Sequence, residues 1–264
     1  MELQPTLRKH ASTSTKERRL GRPRLMAIAI LGAVTLLIAG FGITRVATAG
    51  GSQSRSKVAE FSGPPSMSYG SSSAPIKMEV FSDYECPSCR ALYEQTLRPM
   101  INDYVASGKV YLVHRDFPLP SHKYGYEAAR WVNAAARVGE FANAEAALYD
   151  NQPAWSADGD IEKYVAGAMP AADFKRVQKI MESCAGPAPT SASASGGRFM
   201  DVAVETHVCP LDQYINEDRA MGMKIPVQAT PTYVITYKGQ KYPPGSGVVS
   251  WPILKQFFDS LLSQ

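Results

Sequence analysis

The sequence predicts an α/β domain in which a sheet of about four strands is interrupted by a block of helices. Three observations predict this class. Strand-like runs at 75–81 and 110–117 flank a helical stretch, residues 122–183 are mostly helical, and two further strands precede a last helix. Two strands joined by a helix lie parallel through a right-handed crossover. The chain has 264 residues, enough for one well-packed domain with additional segments.

The net charge of +4 is concentrated at the N-terminus. Residues 1–24 contain seven Lys or Arg and two Glu, so this tail carries +5 and the remainder of the chain carries −1. A nucleic-acid-binding domain needs a basic face on its folded part, so nucleic acid is excluded as the expected partner. The tail is predicted to stay on the cytoplasmic side of a membrane.

An uncharged run of 19 residues, 25–43, follows the tail. Its length matches the apolar core of a bilayer. We predict a transmembrane signal anchor over residues 25–46, with the rest of the chain exported. A cleaved signal peptide ending near Ala49 is the alternative, and Arg18 with Arg19 leaves a twin-arginine signal open. Localisation in the bacterial inner or cytoplasmic membrane, with the domain on the periplasmic or extracytoplasmic side, follows from the anchor.

Residues 47–75 are rich in Ser, Gly and Pro, which is typical of a flexible linker. The folded domain is predicted over residues 76–264, with its helical insertion over about 121–185. A hairpin of two strands then follows Thr230. Ser250 is predicted to cap the last helix, whose apolar residues fall on one face.

Two cysteines, Cys86 and Cys89, lie where the first strand meets the first helix. Pro87 suits the first turn of a helix, where its missing N–H has no consequence. The sulfur of Cys86 would face the unpaired N–H groups and the positive end of the helix dipole, which stabilise a thiolate. Cys89 lies one turn further and can attack a mixed disulfide on Cys86. Cys86 is therefore the predicted nucleophile and Cys89 the resolving cysteine.

Other interpretations of the cysteines stay open. A zinc site would need ligands such as Cys184, Cys209 or His207, and the pair could instead be a purely structural disulfide. No metal and no cofactor is expected. Cys184 and Cys209 are predicted to form a structural disulfide that closes a polar loop. Because Cys209 precedes a proline at a helix start, as Cys86 does, a regulatory or relay role is the alternative.

Three segments, FSDYECPSC (81–89), FPLPSH (117–122) and ATPTYVI (229–235), together resemble the DsbA-like thiol-disulfide oxidoreductases. That family has a thioredoxin fold with a helical insertion, and the similarity spans residues 75–262. The resemblance implies a redox-active disulfide between Cys86 and Cys89. It implies a cis-proline at Pro231 packed against that disulfide, and Thr230 at the position where the backbone pairs with a substrate. Pro87 and Ser88 would support the site. An ordinary proline at a strand start is the alternative for Pro231.

The resemblance also implies an activity and partners. We expect a thiol oxidase that passes its disulfide to reduced, unfolded exported proteins. An integral membrane thiol oxidase, DsbB-like or vitamin K epoxide reductase-like, would recycle it. A disulfide isomerase or reductase of the same fold is the alternative, and a non-enzymatic binding module or chaperone is a third class. No dimerisation segment is evident, so a monomer is expected.

Some positions depart from the family pattern. Ser88 stands where the best-known oxidants have His, and Val80 stands where many relatives have a buried acid. Glu79 is expected on the opposite strand face, away from a proton-relay role. The acids at 83 and 85 would either raise the pKa of Cys86 or be solvated loop residues. The histidines at 114 and 122 are expected to be packing or surface residues.

Overall fold

The computed structural model describes residues 66–184 and 209–264, which belong to one compact unit of the chain. The predicted basic tail (1–24) and transmembrane anchor (25–46) lie outside the described residues, as does most of the predicted linker. No helix in this described part of the chain is long and apolar enough to span a bilayer.

Within the described residues, a six-stranded sheet forms the centre of the domain. Its strands are β1 (Ser68–Tyr69), β2 (Ile76–Ser82), β3 (Val110–Asp116), β4 (Thr232–Tyr237), β5 (Gln240–Lys241) and β6 (Gly245–Ser246). The order across the sheet is β1-β3-β2-β4-β5, and β6 also pairs with β4. As predicted, β2 and β3 are parallel, and the other pairs are antiparallel. Since β2 is buried along almost its whole length, the loop after it begins inside the molecule.

The number of strands differs from the predicted value of about four. β1 and β6 contain two residues each, too few for the alternation of apolar and polar residues that reveals a strand. β1 also lies in the segment assigned to the flexible linker. It pairs with β3, where Ser68 lies opposite Val113. The folded domain therefore begins before residue 76.

The helix after β2 carries the cysteine pair and is widened in its middle. It begins as α1 (Pro87–Leu92) and continues through a π-helical turn (Tyr93–Leu97), α2 (Arg98–Met100) and a second π-helical turn (Ile101–Val105). Pro99 lies between the two π-helical turns. A proline inside a helix lacks the N–H for the preceding turn, and its ring crowds the carbonyl four residues earlier. Widening of the helix around Pro99 relieves this conflict.

The helical insertion, as far as the structure describes it, contains five helices. They are α3 (Gly125–Arg137), α4 (Phe141–Asp150), α5 (Gln152–Asp158), α6 (Ile161–Gly167) and α7 (Ala171–Glu182). α3 is buried on nearly all sides and contacts α4, α6 and α7. Its many alanines allow the neighbouring helices to pack closely against it. The insertion predicted from the sequence is thus a helical layer built around α3.

Two further helices of the described chain are α8 (Pro210–Lys224) and α9 (Trp251–Leu262). A disulfide between Cys184 and Cys209 joins the end of the insertion to the start of α8. Arg130 on α3 donates two hydrogen bonds, both of 2.7 Å, to the carboxylate of Asp212 on α8. Ser250 precedes α9 as predicted, but its side chain makes no capping hydrogen bond.

Candidate active site

The first two cysteines lie at the carboxyl end of β2, where the chain turns into α1. Cys86 is the N-cap residue of α1, and Pro87 is the first helical residue. The N–H groups of Cys89 and Arg90 donate to the carbonyl of Cys86 at 3.0 and 3.1 Å and so begin the helix. Both cysteines are free thiols, with exposed fractions of 6% for Cys86 and 1% for Cys89. Pro87 and Ser88 are exposed.

A loop from a distant part of the chain contacts Cys86. The Thr230–Pro231 peptide bond is cis. The thiol of Cys86 donates to the carbonyl of Thr230, with 3.4 Å between the sulfur and the oxygen. The N–H of Gly247 donates to the carbonyl of Pro231 at 2.8 Å, which ties the loop to the segment after β6. The structure therefore brings two of the three motif segments, 81–89 and 229–235, into one site.

The pKa of the Cys86 thiol is lowered to about 5. A hydrogen bond from the Cys89 thiol has the largest effect, and burial of Cys86 opposes it. The Thr230 side chain and the N–H groups of Cys89 and Ser88 lower the pKa further. The hydroxyl oxygen of Thr230 is buried, and among the described residues it has no hydrogen-bond partner in the thiol form. It is therefore available as a donor when Cys86 becomes a thiolate.

The pKa of the Cys89 thiol is raised, mainly by burial and also by its interaction with Cys86. The N–H of Asp83 donates to the sulfur of Cys89 at 3.5 Å. The hydroxyl of Ser82 also interacts with this sulfur and lies 2.8 Å from the hydroxyl of Tyr149. In the reduced protein Cys89 therefore keeps its proton while Cys86 carries the negative charge. This division suits a nucleophile paired with a resolving cysteine.

Asp83 is buried, with 1% of its surface exposed, so the expectation of a solvated loop acid is wrong for this residue. Its carboxylate accepts hydrogen bonds from the N–H groups of Glu85 at 2.8 Å and Leu119 at 2.7 Å. The same carboxylate lies 2.7 Å from Nδ1 of His122. These donors compensate for the burial of the charge. Asp83 thus attaches the 117–122 segment to the cysteine loop, the residues 83–86 between β2 and α1.

His122 is more than the packing or surface residue expected from the sequence. The hydrogen bond to Asp83 is the main reason that its pKa is raised, and the negative charges of Asp83, Cys86 and Glu85 contribute. Glu85 is half-buried and accepts a hydrogen bond from the N–H of Tyr124 at 2.5 Å. Both acids of the cysteine loop therefore bind the segment after β3. His122 therefore places a partly exposed imidazole near Cys86. The motif itself has no histidine, because Ser88 occupies the position where the best-known oxidants have one.

The position where many relatives have a buried acid is apolar here, since Val80 is a core residue of β2. Its neighbour Glu79 accepts hydrogen bonds of 2.7 and 3.1 Å from the guanidinium of Arg115. Its carboxylate also lies 3.1 Å from the amine of Lys77. Although burial opposes the charge, hydrogen bonds from Arg115 and Lys77 lower the pKa of Glu79. Glu79 therefore belongs to ion pairs on the sheet.

His114 is buried between two carboxylates. Its Nδ1 lies 2.9 Å from Glu145, and its Nε2 lies 3.4 Å from Asp116. Burial favours the neutral imidazole, but the two acids outweigh it and raise the pKa of His114 to about 9. The imidazole stacks on the ring of Tyr84, with 4.8 Å between centroids and 9° between planes. His114 was expected to be a packing or surface residue. It is buried, as a packing residue would be, but the expectation did not include a positive charge.

Gln152, the first residue of α5, was not selected from the sequence. Its exposed fraction is 4%. Its Nε2 donates to the carbonyl of Tyr84 at 2.6 Å and to that of Cys86 at 3.0 Å. Tyr84 is 68 positions away along the chain, and no local motif marks a glutamine that reaches so far. The only sequence signal is a polar residue before Pro153 at a helix start.

Cys184 and Cys209 are both buried and are joined to each other. Sulfurs in a disulfide cannot serve as thiolate ligands, so these two do not complete a zinc site with the CPSC pair. His207 lies outside the described residues. Within residues 66–184 and 209–264, no group of three or more His, Cys, Asp or Glu side chains is arranged to hold a metal ion.

Comparisons with known proteins agree with this geometry. A family model described as thioredoxin matches residues 62–244. The solved structure of α-DsbA1 from Wolbachia pipientis is similar with a TM-score of 0.55 and 16% identity, over 77% of this chain and 94% of that chain. Oxidised BdbD from Bacillus subtilis is similar with a TM-score of 0.51 and 17% identity, over 77% of this chain and 98% of that chain. No curated protein sequence matches. The chain therefore belongs to the thioredoxin family and has the DsbA-like fold, a thioredoxin fold with a helical insertion.

Proposed function

We propose that this protein is an exported thiol oxidase that introduces disulfides into other exported proteins. The observation that carries the proposal is the opposite acidity of the two cysteines. The pKa of Cys86 is lowered to about 5, whereas burial raises that of Cys89. A stabilised thiolate favours the reduced pair, so the oxidised pair is a strong electron acceptor.

The proposed reaction begins with a disulfide between Cys86 and Cys89. A substrate thiolate attacks the sulfur of Cys86, the S–S bond breaks, and Cys89 leaves as a thiolate that takes up a proton. A second substrate thiolate then attacks the substrate sulfur of the mixed disulfide, and Cys86 leaves as a thiolate. The substrate loses two electrons and two thiol protons and gains one disulfide. The protein gains the two electrons and holds one proton on Cys89, and the second proton goes to the solvent.

The surroundings of the cysteines suit each of these steps. A thiol of low pKa is a good leaving group, so release of the oxidised substrate from Cys86 is fast. The N–H of Asp83, 3.5 Å from the sulfur of Cys89, can stabilise the charge that forms there when the disulfide opens. The loop at Thr230 lies beside Cys86, and we propose that its backbone binds the substrate chain next to the reacting sulfur.

The reduced protein must return two electrons to an oxidant before the next cycle. We propose an integral membrane thiol oxidase, DsbB-like or vitamin K epoxide reductase-like, as that partner. An anchor over residues 25–46 would hold the catalytic domain of a monomer on the extracytoplasmic face, near both this partner and newly exported chains.

The reduction potential of the Cys86–Cys89 pair tests the direction of the reaction. We expect the full-length protein, equilibrated with glutathione buffers, to have a potential above about −200 mV. It should also form disulfides in a reduced, unfolded protein substrate. Cys86→Ser should abolish this activity. A matched control is the double variant Cys184→Ser with Cys209→Ser, which removes the remote disulfide and should retain the activity.

Other outcomes would point elsewhere. A potential near the thioredoxin value of about −270 mV would favour the reductase or isomerase alternative. Full activity of Cys86→Ser would contradict the mechanism, and absence of exchange in the parent protein would favour a binding module or chaperone. Export is tested separately by fusing the whole chain to a phosphatase that is active only outside the cytoplasm. An inactive but intact fusion would contradict the proposed location.

A further inference from the structure

One side chain from the helical insertion holds the beginning of α1. The two hydrogens of Gln152 Nε2 each have an acceptor, the carbonyl of Tyr84 at 2.6 Å and that of Cys86 at 3.0 Å. The facing groups identify this atom as the amide nitrogen, because the amide oxygen in its place would face two other oxygens. Gln152 therefore connects Tyr84, two positions before the first cysteine, with Cys86 itself.

The carbonyl of Cys86 determines how the first turn of α1 is arranged around the sulfur. It accepts hydrogen bonds from Gln152 and from the N–H groups of Cys89 and Arg90. This carbonyl belongs to the peptide plane between Cys86 and Pro87, which sets the direction of the chain that follows. The N–H groups of Ser88 and Cys89, which contribute to the lowered pKa of Cys86, come next along that chain.

A cleft separates α1 from α5, although Tyr149 of α4 stacks on Tyr93 just after α1. The cleft has a volume of about 420 Å³ and is lined by Pro87, Arg90 and Ala91 on one side and by Gln152, Pro153 and Ser156 on the other. Side chains across a cleft of this volume have few partner atoms to hold them in place. The two hydrogen bonds of Gln152 are therefore a direct connection across this cleft from α5 to the beginning of α1.

We propose that Gln152 is a positioning residue for Cys86, which holds the Cys86 carbonyl and thereby the first turn of α1 beside the sulfur. The inference rests on the proposed thiol chemistry of Cys86. It means that a residue of the helical insertion helps to position the nucleophile. A glutamine with only a structural role would contribute to folding stability and leave the acidity of Cys86 unchanged.

The test compares the reduced full-length protein with two variants. Gln152→Met keeps the length of the side chain and removes the donor, and Gln152→Glu places a charged acceptor against two carbonyls. We expect the pKa of Cys86, followed by the ultraviolet absorbance of the thiolate, to rise by about half a unit to one unit in Gln152→Met. A larger rise is expected in Gln152→Glu, because the added negative charge disfavours the thiolate.

Gln178→Met is the matched control. Gln178 lies on α7 of the same insertion and donates to Glu162 at 2.9 Å on the surface. This change should leave the pKa of Cys86 as in the parent. An unchanged pKa in folded Gln152→Met, even with a lower melting temperature, would overturn the proposal.

If Gln152→Met does not fold, Gln152→Asn decides the question. It keeps the amide but is too short to reach both carbonyls, so it should also raise the pKa of Cys86, and an unchanged value would overturn the proposal. Failure of the parent protein to oxidise substrates would contradict the proposed function alone, because the pKa comparison does not depend on that activity.

Discussion

The carboxylate of Asp83 lies 2.7 Å from Nδ1 of His122, and this contact joins two segments that are 39 positions apart in the sequence. Asp83 belongs to the cysteine loop, and its N–H donates to the sulfur of Cys89. His122 ends the FPLPSH segment after β3. The contact between Asp83 and His122 therefore joins the 117–122 segment to the loop that carries Cys86 and contacts the sulfur of Cys89.

Replacing Asp83 with Asn should lower the pKa of His122 towards its ordinary value of about 6.5, because the main cause of its raised pKa is removed. The substitution also weakens the hydrogen bonds to the N–H groups of Glu85 and Leu119. We expect a loss of about 1–3 kcal/mol in the free energy of unfolding. NMR titration of the imidazole protons measures the first effect, and denaturant unfolding measures the second.

The stability effect of Asp83→Asn should depend on pH. A histidine whose pKa is raised in the folded state stabilises the protein fully below its unfolded pKa, and this contribution disappears as pH rises through the folded pKa. The variant should therefore lose more stability near pH 5.5 than near pH 9, where only the backbone hydrogen bonds differ. His114 serves as the internal control, and an unshifted His122 would contradict the prediction.

The reduction potential should change its pH dependence near pH 5. Below the Cys86 pKa of about 5, reduction of the disulfide takes up two protons, and above it only one, because Cys86 remains a thiolate. We expect the potential to fall by about 59 mV per pH unit below this point and by about 30 mV above it. Equilibration with a redox buffer from pH 4 to pH 8 measures the slopes. A single slope of about 59 mV throughout would mean that Cys86 is an ordinary thiol.

Thr230→Val should make Cys86 less acidic. The substitution preserves the shape of the side chain but removes the buried hydroxyl, which is available to donate to the thiolate. We expect the pKa of Cys86 to rise by about half a unit to one unit. The corresponding change Thr236→Val on β4 is the control and should leave that pKa unchanged. A lower pKa in Thr230→Val would show that the hydroxyl does not stabilise the charge.

Loss of the disulfide between Cys184 and Cys209 should lower stability without altering the active pair. The two cysteines are separated by 25 positions. A cross-link over such a loop restricts the unfolded chain by about 3.5 kcal/mol in the chain-entropy model. Denaturant unfolding of the variant with alanine at both positions measures this loss. A change in the pKa of Cys86 would instead favour the relay role considered for Cys209.

The parts of the site that could be predicted from sequence follow local rules. A cysteine before a proline at a helix start has a defined relation to the first N–H groups, so the roles considered for Cys86 and Cys89 could be proposed from their spacing, with a zinc site and a structural disulfide as alternatives. The pairing of Cys184 with Cys209 could be expected because disulfides are favoured in exported proteins, and export was the prediction for this chain. The parallel pair of strands also followed from the order of the elements.

What could not be predicted depends on contacts across the fold. The burial of Asp83 is set by the loop that closes over it after β3, and the reach of Gln152 is set by where α5 packs. The charge of His114 depends on Asp116 of the same strand and also on Glu145, which comes from the insertion. Propensity and periodicity describe neighbours along the chain, and they carry no information about such partners. Pro99 is a local signal that the helix after β2 is distorted, but a proline alone does not specify that the distortion is a π-helical turn.

The insertion supplies several of the groups that surround the cysteine loop: His122 from its beginning, Tyr149 from α4, and Gln152 from α5. It also supplies Glu145 of α4, which contacts His114 on β3. A minimal version of this protein, trimmed to its sheet and the helix after β2, would keep the CPSC motif but lose these groups. The insertion is thus not a detachable module. For protein engineering, residues 81–89 and 117–152 should be exchanged together, because a chimera that takes them from different parents would separate the cysteine loop from these groups.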